Sequence, residues 1–336
     1  MSRFIRSTAA AATALATAVL PASVSLAAPS AAPVPAAPAP SRVRISTAFE
    51  LPGDRVYPEG IATDPRTGAF YAASFEDGTV YRRAPGHRVA EEFLPAGADG
   101  RRTANGLKVD RAGRLWVCDS SSGVSVYDTR TRRLLARFVV PGGAATFVND
   151  VAIAPDGSAY LTDSLRAVVY RVTTREVTQG GVITLKSRFD LGRVLEAHAP
   201  GAFTLNGIIA DPAGRYLLTV DMTGGDLYRL DTASGVVGKV ALRGGDMRNA
   251  DGLELQHGRL WVVHNVDNAI SRWRVGRGGA TAGQERRVTD TGLQLPTTLA
   301  RSRNTLYVVR SQFDKGGPLG PGTPQKPFTI AAVRGL

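Results

Sequence analysis

The 336-residue chain is 43% hydrophobic and 21% charged, the make-up of a globular protein, and its 37 Gly and 20 Pro favour many short strands and turns over long helices. Its formal net charge of +12 rests mainly on Arg spread along the whole sequence, which argues against a nucleic-acid reader, whose basic residues gather on one face. With one cysteine, Cys118, there is no internal disulfide, so stability must come from packing.

In chain order, residues 1–28 have the pattern of a secretory signal: Arg3 and Arg6, an apolar run Ala9–Leu20, and the small-x-small site Ser25-Leu26-Ala27. Pro21 interrupts the apolar run well short of a membrane span. The expectation is therefore a secreted, extracellular protein without stable membrane insertion. Residues 29–41 are rich in Ala and Pro and read as a stiff linker. The folded domain is expected over 42–336.

That domain is repetitive. A polar residue followed by an apolar run and a turn occurs at Glu59, Asn105, Asn149, Asn206, Asp251 and Thr297, with spacings of 46, 44, 57, 45 and 46 residues. A period near 45 is that of a propeller blade of four strands. Second strands are expected at 69–74, 114–119, 158–163, 215–221, 259–264 and 304–310. Third strands are expected at 79–82, 124–127, 168–172, 226–230 and 269–275, and fourth strands at 134–140, 183–191, 236–242 and 285–290. Tyr81, Tyr127, Tyr170 and Tyr228 recur in the third strands as filler between blades. After the sixth second strand only 328–333 remains, while the segment 43–51 ahead of the first repeat has no partner. Pairing the two would close the ring and remove an open edge. The fold class is all-β: a six-bladed propeller of four-stranded blades, closed by the N-terminal strand. The long interval between Asn149 and Asn206 includes a loop, 192–204, at the same end as the leading residues, where it could cover a pocket.

Innermost strands line the channel of a propeller, so the six leading residues should form a ring of oxygen donors at one mouth. Hairpin geometry places Ser74, Asp119, Asp163, Asp221, His264 and Arg310 at the same end as a second ring. Turn chemistry alone could explain each Asn/Asp-Gly pair. Glu59 resists that explanation, because Glu is a poor turn former. Two carboxylates, Glu59 and Asp251, with neutral Asn oxygens suit a hard divalent cation, calcium before zinc.

At these residues the chain resembles the gluconolactonase/regucalcin-like (senescence marker protein) six-bladed propellers. The matching motifs are Pro58-Glu59-Gly60, Asn149-Asp150-Val151 with Pro155-Asp156-Gly157 and Thr162-Asp163, Asn206-Gly207 with Val220-Asp221, and Asp251-Gly252-Leu253 with Leu260-Trp261. The resemblance implies a catalytic divalent metal, usually calcium, held by Glu59, Asn149, Asn206 and Asp251. It departs at Val148 and Leu205, where the family has Pro, at Asn105, and in the segment 311–327.

The function expected is metal-dependent hydrolysis of a lactone or related ester, a small-molecule substrate, by a monomer. Asp251 or a second-ring group (Asp163, Asp221 or His264) would activate water. Asn105, Asp119, Arg310 and His198 are candidate substrate contacts. The competing expectations are a non-catalytic propeller with structural calcium, and a propeller lyase or synthase.

Overall fold

The computed structural model describes residues 42–336. The signal and linker assigned to 1–41 lie outside the described residues. The remainder forms six sheets, antiparallel except for one short added strand in each of two. The first four blades begin with inner strands Pro58–Thr63, Leu107–Val109, Val148–Ile153 and Leu205–Ala210; the last two begin with Ala250–Gln256 and Leu299–Ser302. Each inner strand pairs with the second strand of its blade, and the sheets then run outward.

Ring closure is as expected. Arg44–Leu51 pairs antiparallel with Phe328–Arg334, from Arg44 opposite Arg334 to Leu51 opposite Phe328, and becomes the outer strand of the sixth blade. The core follows the same logic. Six apolar clusters occupy the six junctions between neighbouring blades, because each blade is apolar on both faces. The cluster of Phe49, Ile61, Phe70, Val309 and Ile330 joins the first blade to the last. Tyr127, Tyr170 and Tyr228 are each 1% exposed or less and lie in three different junctions. Cys118 is buried beside Trp116, and burial pushes its thiol well above the usual range, leaving it inert.

Two fourth strands depart from the sequence reading. The run expected over 183–191 is broken: Lys186–Asp190 completes the third blade, while Gly181–Thr184 adds in parallel to Leu134–Val139 of the second. The run expected over 236–242 divides likewise, with Val237–Lys239 in the fourth blade and Ala241–Arg243 parallel to Thr281–Thr289 in the fifth. Each short donated strand covers a neighbour's outer edge, which period-2 patterning cannot reveal.

Four inner strands carry one extra residue relative to their partners. The register slips between Pro58 and Ile61, Val148 and Val151, Leu205 and Ile208, and Ala250 and Leu253. These are β-bulges, at Glu59-Gly60, Asn149-Asp150, Asn206-Gly207 and Asp251-Gly252, and a bulge re-aims the side chain it carries. The Asn/Asp-Gly pairs are therefore bulges within strands rather than turns. Their glycines have a packing reason. A Cβ on Gly60 would overlap the Asn105 carbonyl oxygen, and one on Gly207 would overlap that of Asp251. The inner strands approach around the axis too closely for a side chain there.

Candidate functional site

The bulges turn four of the six leading residues into one cavity, which Thr297 also lines. Glu59, Asn149, Asn206, Asp251 and Thr297 form its deep end and are each 7% exposed or less. The cavity measures about 410 Å³. Its outer wall is mainly apolar, with Phe75, Phe147, Phe203, Met222, Val266, Phe313, Pro318 and Leu319 beside the two amides Asn249 and Asn265. Asn105, expected among the substrate contacts, does not reach it. Asn105 is fully buried in the second blade, its Nδ2 donating to the Val148 carbonyl at 3.4 Å.

The polar deep end has a consistent orientation. Asn149 Nδ2 donates to Ser164 Oγ at 3.0 Å, and Asn206 Nδ2 faces Met222 Sδ at 3.2 Å. With their amide nitrogens committed, Oδ1 of both residues is left buried without a partner, as is Glu59 Oε2. Asp251 Oδ2 accepts from Asn265 Nδ2 at 3.2 Å. Buried oxygens without donors are costly unless something electropositive faces them.

Electrostatics points the same way. Burial, and then the nearby carboxylates of Asp251 and Asp150, push the Glu59 carboxyl well above its usual range. Burial also raises Asp251, opposed by the Asn265 hydrogen bond and reinforced by Asp150. Asp150 itself is raised by burial, with Lys108 offsetting part of the effect. No Lys, Arg or His lines the cavity. Among the described residues there is no cluster of three or more His, Cys, Asp or Glu. The donor set is two carboxylates and two amide oxygens, which fits a hard oxygen-seeking cation better than zinc. Glu59, Asn149, Asn206 and Asp251 could hold it.

The expected second ring requires correction. Its residues do lie at this end of the hairpins: Val148 pairs with Asp163, Leu205 with Asp221 and Ala250 with His264. Directly opposed residues share a face of the sheet, however, and Val148, Leu205 and Ala250 face the junctions between blades. Asp163, Asp221 and His264, expected as catalytic candidates, are therefore directed away from the cavity. Asp163 accepts from the Phe147, Leu165 and Arg166 amides and from the Thr146 and Tyr170 hydroxyls. Asp221 accepts from the Gly224 amide at 3.0 Å and meets His198 Nε2 at 2.7 Å. His264 Nδ1 lies 2.8 Å from the Arg248 carbonyl, which can only accept, so Nδ1 carries the proton and Nε2 accepts from Ser271 Oγ. Burial holds this imidazole below its usual pKa, in the neutral form.

The substrate contacts expected beyond Asn105 are placed elsewhere too. Asp119 caps a turn, accepting from the Arg102 and Ser121 amides at 2.8 and 2.9 Å. Arg310 donates to the Gly292 carbonyl and to Thr47 and Thr329 hydroxyls, fastening the closing blade. His198 pins the 192–204 loop to Asp221. That loop does reach the cavity, through Phe203.

The residues that do support the first ring come, in four of the blades, one position past the end of the second strand. Phe75, Met222 and Asn265 line the cavity, and Ser164 orients Asn149. Strand alternation is the signal that would have found them: moving one residue along a strand changes the face. The aromatic wall and the 313–319 segment carry no repeat signature and were not legible.

Replacing Asp163 tests this placement. Asp163→Ala removes the acceptor for five donors and is expected to lower stability by roughly 3 kcal/mol, while calcium affinity stays within about twofold because Asp163 does not face the cavity. Chemical denaturation and calcium titration calorimetry measure both; loss of calcium binding in a folded variant would place Asp163 in the site.

Comparison with known proteins bears on this geometry. Among curated proteins no sequence match is found. Among solved structures, the Malassezia sympodialis allergen Mala s 1 superposes with a TM-score of 0.64 at 16% identity, covering 85% of this chain and 95% of that one. A "putative gluconolactonase" superposes with a TM-score of 0.57 at 17% identity, covering 88% and 93%. Virginiamycin B lyase from Staphylococcus aureus gives 0.55 at 11% identity, covering 87% and 99%. At such identities these likenesses establish the propeller alone. The sequence profile of the SMP-30/gluconolactonase/LRE-like region matches residues 57–312, a span from just before Glu59 to just past the sixth inner hairpin. With that match over most of its length, the chain belongs to the SMP-30/gluconolactonase/LRE-like family.

Proposed function

We propose that this protein is a calcium-dependent hydrolase of lactones or related esters, exported by its N-terminal signal and acting as a monomer on small molecules. The observation that carries the reading is the inward set of buried oxygens, Glu59 Oε2, Asn149 Oδ1 and Asn206 Oδ1, left without partners beside Asp251. Family membership supports the hydrolytic class.

Calcium bound there would supply Lewis-acid polarisation of the substrate carbonyl. The residues do the remainder. Glu59 and Asp251 provide the negative charge that retains the cation, and the two Asn, held by Ser164 and Met222, fix its position. Asp251 is the carboxylate of the cavity assigned to base chemistry. It takes a proton from water as the water oxygen adds to the carbonyl carbon, and the acyl C–O bond breaks. The proton passes to the departing alkoxide oxygen, giving a hydroxy acid from a lactone. Asn265, donating to Asp251 Oδ2, orients that carboxylate.

The test is a panel of lactones and aryl esters assayed with the mature protein before and after chelation. Turnover is expected to fall at least about 100-fold on calcium removal and to return on its addition. Unchanged turnover in chelator defeats the metal assignment. Loss of stability alone, with no hydrolysis of any member at confirmed calcium occupancy, means a binding propeller instead.

A further inference from the structure

The cavity's outer half is built of apolar side chains. Phe75 stacks near Phe147 with ring centroids 6.3 Å apart, and Phe75 meets Phe313 at 5.3 Å. Phe147 meets Phe203 edge-on at 4.8 Å. These four phenyl rings come from four separate parts of the chain and form one continuous collar above the polar deep end. The rim is apolar as well. Phe203, Val266 and Leu319 are 39%, 53% and 57% exposed, and they are three of the seven large hydrophobic residues exposed among the described residues. Such a concentration at one opening marks a binding surface.

The collar is held in place. Tyr57 Oη donates to the Lys315 carbonyl at 3.0 Å, and the Leu319 amide to the Phe313 carbonyl at 3.0 Å. Gln312 and Gln325 exchange bonds at 3.0 and 2.7 Å across the base of the same loop. Of the other polar groups in the lining, half-buried Asn249 donates to Asp267, Asn265 to Asp251, and Thr297 Oγ1 to the Glu59 carbonyl. The phenyl collar offers no hydrogen-bond partner to a substrate that carries a hydroxyl on each carbon. Each such hydroxyl would lose water against a ring face without a replacement partner.

From this juxtaposition of a four-phenyl collar and an oxygen-lined deep end we infer that the substrate is an amphiphile: a lactone or ester whose acyl carbonyl reaches the deep end and whose alkyl or aryl substituent fills the collar. The inference rests on the hydrolase reading above and names the substrate class for that site. A polyhydroxylated sugar lactone is disfavoured. Phe147 and Leu319 are specificity-determining residues, acting on the substituent and not on the carbonyl.

The experiment compares kcat/KM of the calcium-loaded protein for γ-butyrolactone, γ-hexalactone, γ-nonalactone and δ-gluconolactone. Calorimetry in parallel measures binding of alkyl γ-lactams of the same chain lengths, which resist hydrolysis. The expected result is about a fourfold rise in kcat/KM per added methylene until the collar is filled, with gluconolactone below γ-hexalactone. Phe147→Ala and Leu319→Ala should each reduce the nonalactone-to-butyrolactone ratio by about tenfold or less. Leu319 is half-exposed, so its variant tests the collar without burdening the fold. Gluconolactone turnover equal to or above that of the alkyl lactones overturns the inference and leaves the hydrolase reading standing. Chain-length-dependent lactam binding that Phe147→Ala weakens, with no lactone hydrolysed, retains the apolar ligand and overturns the hydrolase reading. Lactam affinity independent of chain length overturns the inference whatever the turnover.

Discussion

Glu59→Gln is expected to lower calcium affinity by roughly 100-fold or more and leave the propeller folded in chelator. The change removes one of the two carboxylates that line the cavity and keeps the shape of the side chain. Changes to groups that merely orient a ligand already cost about 10–100-fold in metal affinity, so removal of a charged ligand should cost at least as much. The cation-free fold should tolerate the change for a specific reason. Burial beside Asp251 and Asp150 raises the folded-state pKa of Glu59 above its unfolded value. A raised carboxyl contributes stability that is fully present below the unfolded pKa and lost as pH rises through the folded pKa. In chelator the native protein should therefore lose stability as pH rises from the ordinary carboxylate range toward that raised value, and Glu59→Gln, which resembles the neutral acid at all pH, should lose less. Calcium titration calorimetry and thermal unfolding in chelator at several pH values measure the two effects. Undiminished calcium affinity would remove Glu59 from the ligand set.

Gly207→Ala is expected to destabilise the protein by about 3 kcal/mol or more, with accompanying loss of calcium affinity. Its Cβ would overlap the Asp251 carbonyl oxygen and approach the Leu253 side chain at 3.0 Å. A backbone carbonyl of the next inner strand cannot swing aside as a flexible side chain can. Relief requires the fourth and fifth blades to separate at the axis, and that moves Asn206 and Asp251 apart. Gly238→Ala is the matched control, because nothing lies within 4 Å of its Cβ on the outer strand Val237–Lys239. That change should be neutral or slightly stabilising through the unfolded state. Urea denaturation of the pair provides the comparison. If the two variants have the same midpoint, the axial contact does not carry the energy assigned to it.

Much of this architecture was legible because repetition makes it so. The spacing of Glu59, Asn105, Asn149, Asn206, Asp251 and Thr297 reports blade length directly. The unpaired run 43–51 had one place to go, and it pairs with Phe328–Arg334. The donated strands Gly181–Thr184 and Ala241–Arg243 were not legible, since a strand's pattern does not say which sheet it joins. Nor did the resemblance explain the 311–327 segment, which brings Phe313, Pro318 and Leu319 to the cavity.

The sequence by itself brought five of the six oxygen-bearing leading residues to one opening, because residue identity at a fixed period is enough to place like positions around one axis. Only the tertiary structure decided which neighbours serve that ring. A strand changes face at every residue, so Asp163 and Asp221 cap turns, His264 ties the Arg248 carbonyl to Ser271, and Phe75, Ser164, Met222 and Asn265, each one position past a second-ring residue, face or orient the site. The bulges at Glu59-Gly60 and its three counterparts shift the inner strands against their partners by one residue. That shift, invisible in a repeat count, separates the residues that line the cavity from those that fasten the blades.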